Sequence, residues 1–297
     1  MNPPSSDLWP QIVNTTQQAL ESGALQPIAT QLQFIPDAKL KFCVRILDNL
    51  TRKEAAKKSR QSAPTNKPFN PFFPYEEALF VANLSATHVC LLNKYNVVDH
   101  HILMVTREYE SQDAWLTQAD FEAFTQCLTQ IDGLGFYNGG TMAGASQHHK
   151  HLQLVPFTSE KGSQELPLSE LIDIERKRLE TASQLPSLPF QHGIQSLTIQ
   201  WTASTLAANS QQLLQLYKDL LVDVGLNLEA AKPDVPYNLL LTREWMMVVP
   251  RSQESYADIG VNSLGYSGWL LVKTHEDLER LKSIGPMTLL QTVGKRI

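Results

Sequence analysis

Short apolar runs broken by turn residues fill the first half of the chain. Lys41-Phe-Cys-Val-Arg-Ile-Leu places Phe42, Val44 and Ile46 on one side of an extended backbone, the period-two signature of a half-buried strand. Ala78-Leu-Phe-Val-Ala-Asn, His88-Val-Cys-Leu-Leu-Asn and His101-Ile-Leu-Met-Val-Thr follow, and their spacing argues for antiparallel strands. Residues 8–22 carry a helical pattern that breaks at Gly23. Leu116-Thr-Gln-Ala-Asp-Phe begins a second helix: Thr117 with Asp120 has the form of a capping box with the shorter acid. Phe121, Phe124, Leu128 and Ile131 then share one helical face. The helix ends near Gly133, and a strand, a glycine-rich turn and another strand follow. Residues 1–157 therefore read as an α+β region, a mostly antiparallel sheet with helices against it.

Residues 158–196 read as a connector, with a helix from about Ser169 to Ser183 and the proline-rich Leu185-Pro-Ser-Leu-Pro-Phe. Residues 197–297 form a second α+β region, with a helix from roughly Ser210 to Val224. Two strands about a tight turn lie between Tyr237 and Arg251 and echo the pattern from His88 to Arg107, so this half partly repeats the first. Thr274 with Asp277 caps a last helix before Gly285-Pro286.

The chemistry concentrates between Tyr137 and Pro156. Gly139, Gly140 and Gly144, among small or polar neighbours, let the backbone turn sharply and expose amides, which makes an anion cradle. Beyond the turn, His149, His151 and Gln153 share one face of a strand, and Lys150, Leu152 and Leu154 share the other. Same-face neighbours stand roughly 6.5–7 Å apart, close enough to act on one phosphate. Imidazoles beside an anion cradle point to phosphoryl or nucleotidyl transfer. Zinc is the rival reading for His-x-His, but most sites take three or four protein ligands, Gln153 is a poor one and the cysteines are scattered. The chain has no G-x-x-x-x-G-K-[ST], no dinucleotide G-x-G-x-x-G and no G-x-S-x-G elbow. Ser146 fits best as a hydroxyl donor to phosphate.

Composition narrows the setting. The chain has 297 residues, 42% hydrophobic and 19% charged, as expected of a soluble globular protein. Its net charge of −5 gives nonspecific nucleic-acid binding no global support. A local exception is 52–67, where Arg52, Lys53, Lys57, Lys58, Arg60 and Lys67 face only Glu54. This is either a solvated loop or a phosphate-gathering arm, with Lys53 and Lys67 as its leading members. No bilayer-length apolar run and no secretory signal is present. Cys43, Cys90 and Cys127 form no CxxC pair, which suggests a reduced compartment. The expectation is a cytoplasmic protein.

Several stretches resemble one family. His149-Lys-His-Leu-Gln is similar to the signature of the histidine-triad superfamily in its transferase branch, where glutamine replaces the third histidine. Asn70-Pro-Phe-Phe-Pro-Tyr-Glu, Asn93 through Arg107, Tyr137 through Pro156, Asn238-Leu-Leu-Leu-Thr-Arg-Glu-Trp-Met and Asn262 through Lys273 resemble the ATP adenylyltransferases, also called diadenosine tetraphosphate phosphorylases. The resemblance implies a histidine-triad-like sheet and reversible phosphorolysis of diadenosine tetraphosphate to ATP and ADP. It makes His151 the nucleophile of a histidine–AMP intermediate. It implies that Gln153, Ser146 and the turn at Gly139, Gly144, Ala145 and Gln147 bind phosphate oxygens, and that His149 positions phosphate or shuttles a proton. Asn138 becomes a further phosphate ligand, Asn93 stands where the superfamily usually has a ribose-binding acid, and Lys53 and Lys273 become cations for the distal phosphates. His101 is read as structural. The expected partners are diadenosine polyphosphates, ATP, ADP and phosphate, with Mg²⁺ carried on the substrate and no protein-bound metal; no nucleic acid or membrane is expected, and a monomer is. Alternatives are a related hexose-phosphate uridylyltransferase, a dinucleotide polyphosphate hydrolase and a noncatalytic nucleotide sensor.

Overall fold

An eight-stranded antiparallel sheet runs through both halves of the chain. The computed structural model describes residues 8–47, 70–157, 166–179 and 183–297. In chain order its elements are α1 (Leu8–Glu21), β1 (Thr30–Asp37), β2 (Leu40–Leu47), β3 (Phe80–Asn83), β4 (His88–Leu92), β5 (Ile102–Thr106), α2 (Gln118–Gln130), β6 (Gly133–Gly139) and β7 (His151–Pro156). They continue with α3 (Pro167–Leu179), β8 (Gly193–Ser196), α4 (Leu206–Asp223), β9 (Tyr237–Leu241), β10 (Trp245–Pro250) and the short hairpin β11 (Ser255–Tyr256) and β12 (Ile259–Gly260). The last are α5 (Ser263–Tyr266), β13 (Trp269–Val272), α6 (His275–Ile284) and α7 (Pro286–Val293). The large sheet has the order β3-β4-β5-β7-β6-β9-β10-β8, and β1-β2-β13 form a second sheet.

The α+β class and the antiparallel arrangement match the pattern of apolar runs. Three features lie outside it. The helix capped by Thr274 is not the last: Pro286–Val293 forms another, with Pro286 in its first turn where a missing N–H costs nothing. Gly193–Ser196, at the end of the stretch read as a connector, is the eighth strand of the main sheet, paired with β10. Trp269–Val272 pairs in parallel with β2, tying the last part of the chain to the first. Such a contact depends on a partner more than two hundred residues away and leaves no local trace.

Alternation along the strands feeds two different cores. Cys90, Leu92, Ile102, Met104, Leu152 and Leu154 point to one face, where Ile12 of α1, Phe121, Phe124 and Leu128 of α2, and Leu213 and Leu220 of α4 cover them. Leu134, Phe136, Val155, Leu240 and Met247 point to the other face, beneath Phe42 and Val44 of the small sheet and the C-terminal helices. That cover stops short of β4 and β5. There a separate small cluster of Phe72, Val89, Leu91, Leu103 and Val105 lines the same face. β7 crosses the boundary between the two clusters, so its side chains on this face emerge where the cover ends.

Candidate active site

β7 lies between β5 and β6, with His151 opposite Val105 and Gln153 opposite Leu103. Because successive side chains alternate, Lys150 falls on the helix-covered face and is fully buried. Its ammonium donates to Asp120 Oδ2 at 2.8 Å, Glu110 Oε2 at 3.0 Å and the Trp115 carbonyl at 3.0 Å. All three protons are thus satisfied. Asp120 also meets His88 Nε2 at 3.1 Å. The strand carrying the histidines is anchored from behind by a buried ion pair.

On the open face, the Nδ1–H of His151 donates to the His149 carbonyl at 2.9 Å. That fixes the tautomer and leaves the Nε2 lone pair without a partner among the described residues. The Phe72 ring packs at 5.3 Å from the imidazole. Burial pulls the His151 pKa down to about 4; the His149 carbonyl pushes it back up, and the His149 ring lowers it again. The ring is therefore neutral at pH 7 and nucleophilic through Nε2. His149 itself has no free nitrogen. Its Nε2–H donates to the Thr106 carbonyl at 2.8 Å, and its Nδ1 accepts from Asn70 Nδ2 at 2.9 Å. Both ring nitrogens of His149, expected from sequence to position phosphate or shuttle a proton, are thus engaged by the protein, and its contact with the His151 ring is made by its backbone oxygen.

A second hydrogen-bonded chain ends at Gln153. Asn93 Nδ2 donates to His101 Nδ1 at 3.1 Å, and His101 Nε2–H donates to Gln153 Oε1 at 3.0 Å. With its oxygen taken, Gln153 presents its amide nitrogen as the free donor. Asn93 is therefore engaged with His101, and its Oδ1 accepts from the Tyr95 amide at 3.4 Å. Burial lowers the His101 pKa to about 4, opposed by the Gln153 bond and helped by His151. Both rings thus bind protons less readily folded than unfolded, where 6.5 is the reference value. Between pH 6.5 and about 4 the unfolded chain holds more protons, so stability falls as pH drops through that window and is flat above it. The second-order rate of attack by His151 should follow an acid limb with its midpoint near pH 4; single-turnover measurements placing it at 6–7 would contradict this environment.

The turn between β6 and β7 requires its glycines. Gly140 has φ +92°, and a Cβ there would lie 2.5 Å from Asp113 Oδ1. Gly144 has φ +89°, and a Cβ would sit 2.8 Å from the Asn262 Cα. Among the described residues, the amides of Ser146, Gln147 and His148 have no backbone acceptor. Ser146 is exposed, while Ala145 and Gln147 are half-buried. Gly139 closes β6 against Tyr237. Asn138, read as a phosphate ligand, is buried, and its Oδ1 accepts from Ser263 N, Ser263 Oγ and Asn238 Nδ2 at 2.7–2.9 Å. Asn238 Nδ2 also reaches the Ala143 carbonyl at 2.8 Å, and Arg251 Nη1 donates to Asn238 Oδ1 at 2.8 Å. The C-terminal half thus clamps the glycine turn.

Lys53 and the rest of the 52–67 basic segment lie outside the described residues. Lys273 is exposed just past β13, on the small sheet. Among the described residues no hydrogen bond or ion pair joins it to β7. Cys90 and Cys127 are buried, and burial pushes the Cys127 thiol up to about 12, which suits small core residues and not reactive thiols. The described residues hold no group of three histidine, cysteine or acidic side chains arranged for a metal. Sequence reasoning did not single out Gln112, Asn70, Phe72, Asn238, Ser263 or Arg251 individually for the site. Asn70, Phe72, Asn238 and Ser263 lay in the quoted family stretches but had no role, and nothing in the pattern pointed to Gln112.

Comparisons with known proteins show the family. Residues 1–174, more than half of the chain, match the family model described as the Ap4A phosphorylase N-terminal domain. The chain belongs to the Ap4A phosphorylase family. Residues 186–296 match the model for the ATP adenylyltransferase C-terminal domain that accompanies it. Among its Saccharomyces cerevisiae relatives, diadenosine 5',5'''-P1,P4-tetraphosphate phosphorylase 2 is 29% identical over 273 residues, covering 83% of this chain and 80% of that one. Protein APA1 of the same organism is 27% identical over 299 residues, covering 93% and 90%. The crystal structure of yeast Ap4A phosphorylase Apa2 in complex with Ap4A superposes with a TM-score of 0.76 at 24% identity over 97% of both chains, so both halves of the described chain share that fold.

Proposed function

We propose that this protein catalyses reversible phosphorolysis of diadenosine tetraphosphate to ATP and ADP through a covalent adenylyl intermediate on His151. The observation that carries the reading is the His151 ring, with Nδ1–H held by the His149 carbonyl and Nε2 unpartnered among the described residues. Nε2 attacks an α-phosphorus, the bond to the bridging oxygen breaks, and ATP leaves. The ring keeps its Nδ1 proton, and the positive charge that develops on the imidazole is met by the His149 carbonyl. Inorganic phosphate then attacks the same phosphorus, the N–P bond breaks, ADP leaves and the lone pair returns to Nε2. Two displacements replace one difficult step. The Gln153 amide nitrogen, the Ser146 hydroxyl and the turn amides are donors for the non-bridging oxygens, where charge accumulates. Asn138, Asn93 and His149 act behind this layer, holding the turn, Gln153 and His151. The apolar cluster around Phe72 and Leu103 offers a base a dry seat on the same face. Lys53 and Lys273 remain candidates for the distal phosphates. Mg²⁺ would travel on the polyphosphate, held by its oxygens and water.

Since β9 of the same chain covers the edge of β6, we infer a monomer. The free cysteines support a cytoplasmic location, and no helix among the described residues is long and apolar enough to cross a membrane. The deciding experiment incubates the protein with diadenosine tetraphosphate labelled at the α-phosphorus. ADP and sustained turnover should appear only when phosphate is added; without it a single equivalent of ATP should be released as the label is trapped on His151. AMP formed from water alone, or label on another residue, overturns the reading.

A further inference from the structure

The ladder between β6 and β7 pairs Gly133 with Pro156 through Phe136 with Gln153 and stops there. Continuing the same register would set Asn138 opposite His151, but the strands must part at that level to admit the glycine turn. The side chain of Gln112 fills the fork. Its Oε1 accepts from the His151 amide at 2.8 Å. Its Nε2 donates to the Asn138 carbonyl at 2.9 Å and to the His151 carbonyl at 3.3 Å. Gln112 is itself held: its amide donates to the His148 carbonyl at 2.9 Å, and the Tyr137 hydroxyl donates to its carbonyl at 2.6 Å. It is only 2% exposed.

We propose that Gln112 is a positioning residue for the reaction: it sets the height of His151 along β7, and with it the line from Nε2 to the phosphorus. The inference rests on His151 being the nucleophile. The carboxamide acts as a peptide group wedged between two strands, accepting one N–H while offering two of its own. No other side chain of that length does both. A carboxylate would accept from His151 but face two carbonyl oxygens with no proton to give. A thioether would leave one buried amide and two carbonyls unsatisfied, each a real cost in a dry site. Every polar atom of the carboxamide is engaged by the protein, so its influence on the substrate passes through His151. Displacing a reacting atom by about 1 Å costs on the order of 10²-fold in rate.

The test compares Gln112→Glu and Gln112→Met with the parent, each assayed well below its own melting temperature. Adenylylation of His151 from diadenosine tetraphosphate should slow by on the order of 10²-fold, with substrate affinity changed less than about threefold. In Gln112→Glu the rate should recover as pH falls from 8 towards 5.5, because burial raises the pKa of the introduced carboxyl and protonation restores a donor. Gln112→Met should show no such recovery. If Gln112→Met does not fold, the pH series on Gln112→Glu decides alone; if neither folds, Gln112→Asn, which keeps the amide one methylene short, is read on the same rate-to-affinity split. Parental rates in a folded variant, equal losses in affinity and rate, or no pH recovery in Gln112→Glu overturn the proposal. Label trapped on His151 of the parent keeps such a failure separate from a failure of the proposed function.

Discussion

His151→Ala is expected to lower turnover of diadenosine tetraphosphate by on the order of 10⁴-fold or more, the scale seen when a covalent nucleophile is deleted, while the protein stays folded and still binds substrate. Among the described residues the imidazole makes one hydrogen bond, to the His149 carbonyl, and packs on Phe72. Losing both costs roughly 1–3 kcal/mol, the sum of a hydrogen bond and a partly buried ring. The proposed donors for the phosphates sit elsewhere, on Gln153, Ser146 and the turn, so affinity should stay within about tenfold, a change of roughly 1.4 kcal/mol. Initial rates with phosphate and calorimetric titration with the dinucleotide separate the two effects. A His151→Ala protein that still forms ADP at a rate within a hundredfold of the parent would remove covalent catalysis at this position. One that neither binds nor turns over would leave His151 as a structural residue.

How far this site could be read from sequence depends on where each residue's partners lie. His149, His151 and Gln153 were visible because a strand alternates and because all three follow a glycine turn; burial on one face follows from that period. The capping box at Thr117 and Asp120 was equally local, three residues apart, and the Thr117 amide does donate to Asp120 Oδ2 at 2.7 Å. What stayed hidden comes from pairs far apart in the chain. Gln112 sits in a loop with no periodicity and acts on a strand almost forty residues on. Asn138 was read as a phosphate ligand, and nothing local showed that its oxygen takes the Ser263 amide, 125 residues away. His149 was read through its side chain, yet the atom it lends to His151 is a main-chain oxygen. Gly193–Ser196 looked like part of a connector because four residues are too few to show a period, and only β10 makes them a strand.

The capping box also hides a larger role, and removing it is the most destabilising single change we expect. Asp120→Ala should cost about 3–5 kcal/mol, the range for taking one partner from a buried ion pair. Asp120 and Lys150 are both fully buried, with Nζ and Oδ2 2.8 Å apart. Without the carboxylate, Lys150 keeps the neutral Trp115 carbonyl and a single anionic partner, Glu110, whose side chain is 45% exposed and therefore screened by water. His88 loses its acceptor as well, and the Thr117 amide loses its cap. Burial works to raise the Asp120 pKa, but the His88 and Lys150 contacts outweigh it and hold the carboxyl below its ordinary value. Its contribution is therefore present above the unfolded-state carboxyl pKa and is lost as pH falls through the folded one. The gap between parent and Asp120→Ala in urea unfolding should be constant near neutrality and close at strongly acid pH. Lys150→Met added to Asp120→Ala should recover part of the loss, because the stranded ammonium is what makes the single change so costly and an apolar side chain of similar length has nothing to leave unpaired. Costs that simply add in the double variant would mean that Asp120 acts as a helix cap alone, and that the charge behind the catalytic strand is held by Glu110 and the Trp115 carbonyl.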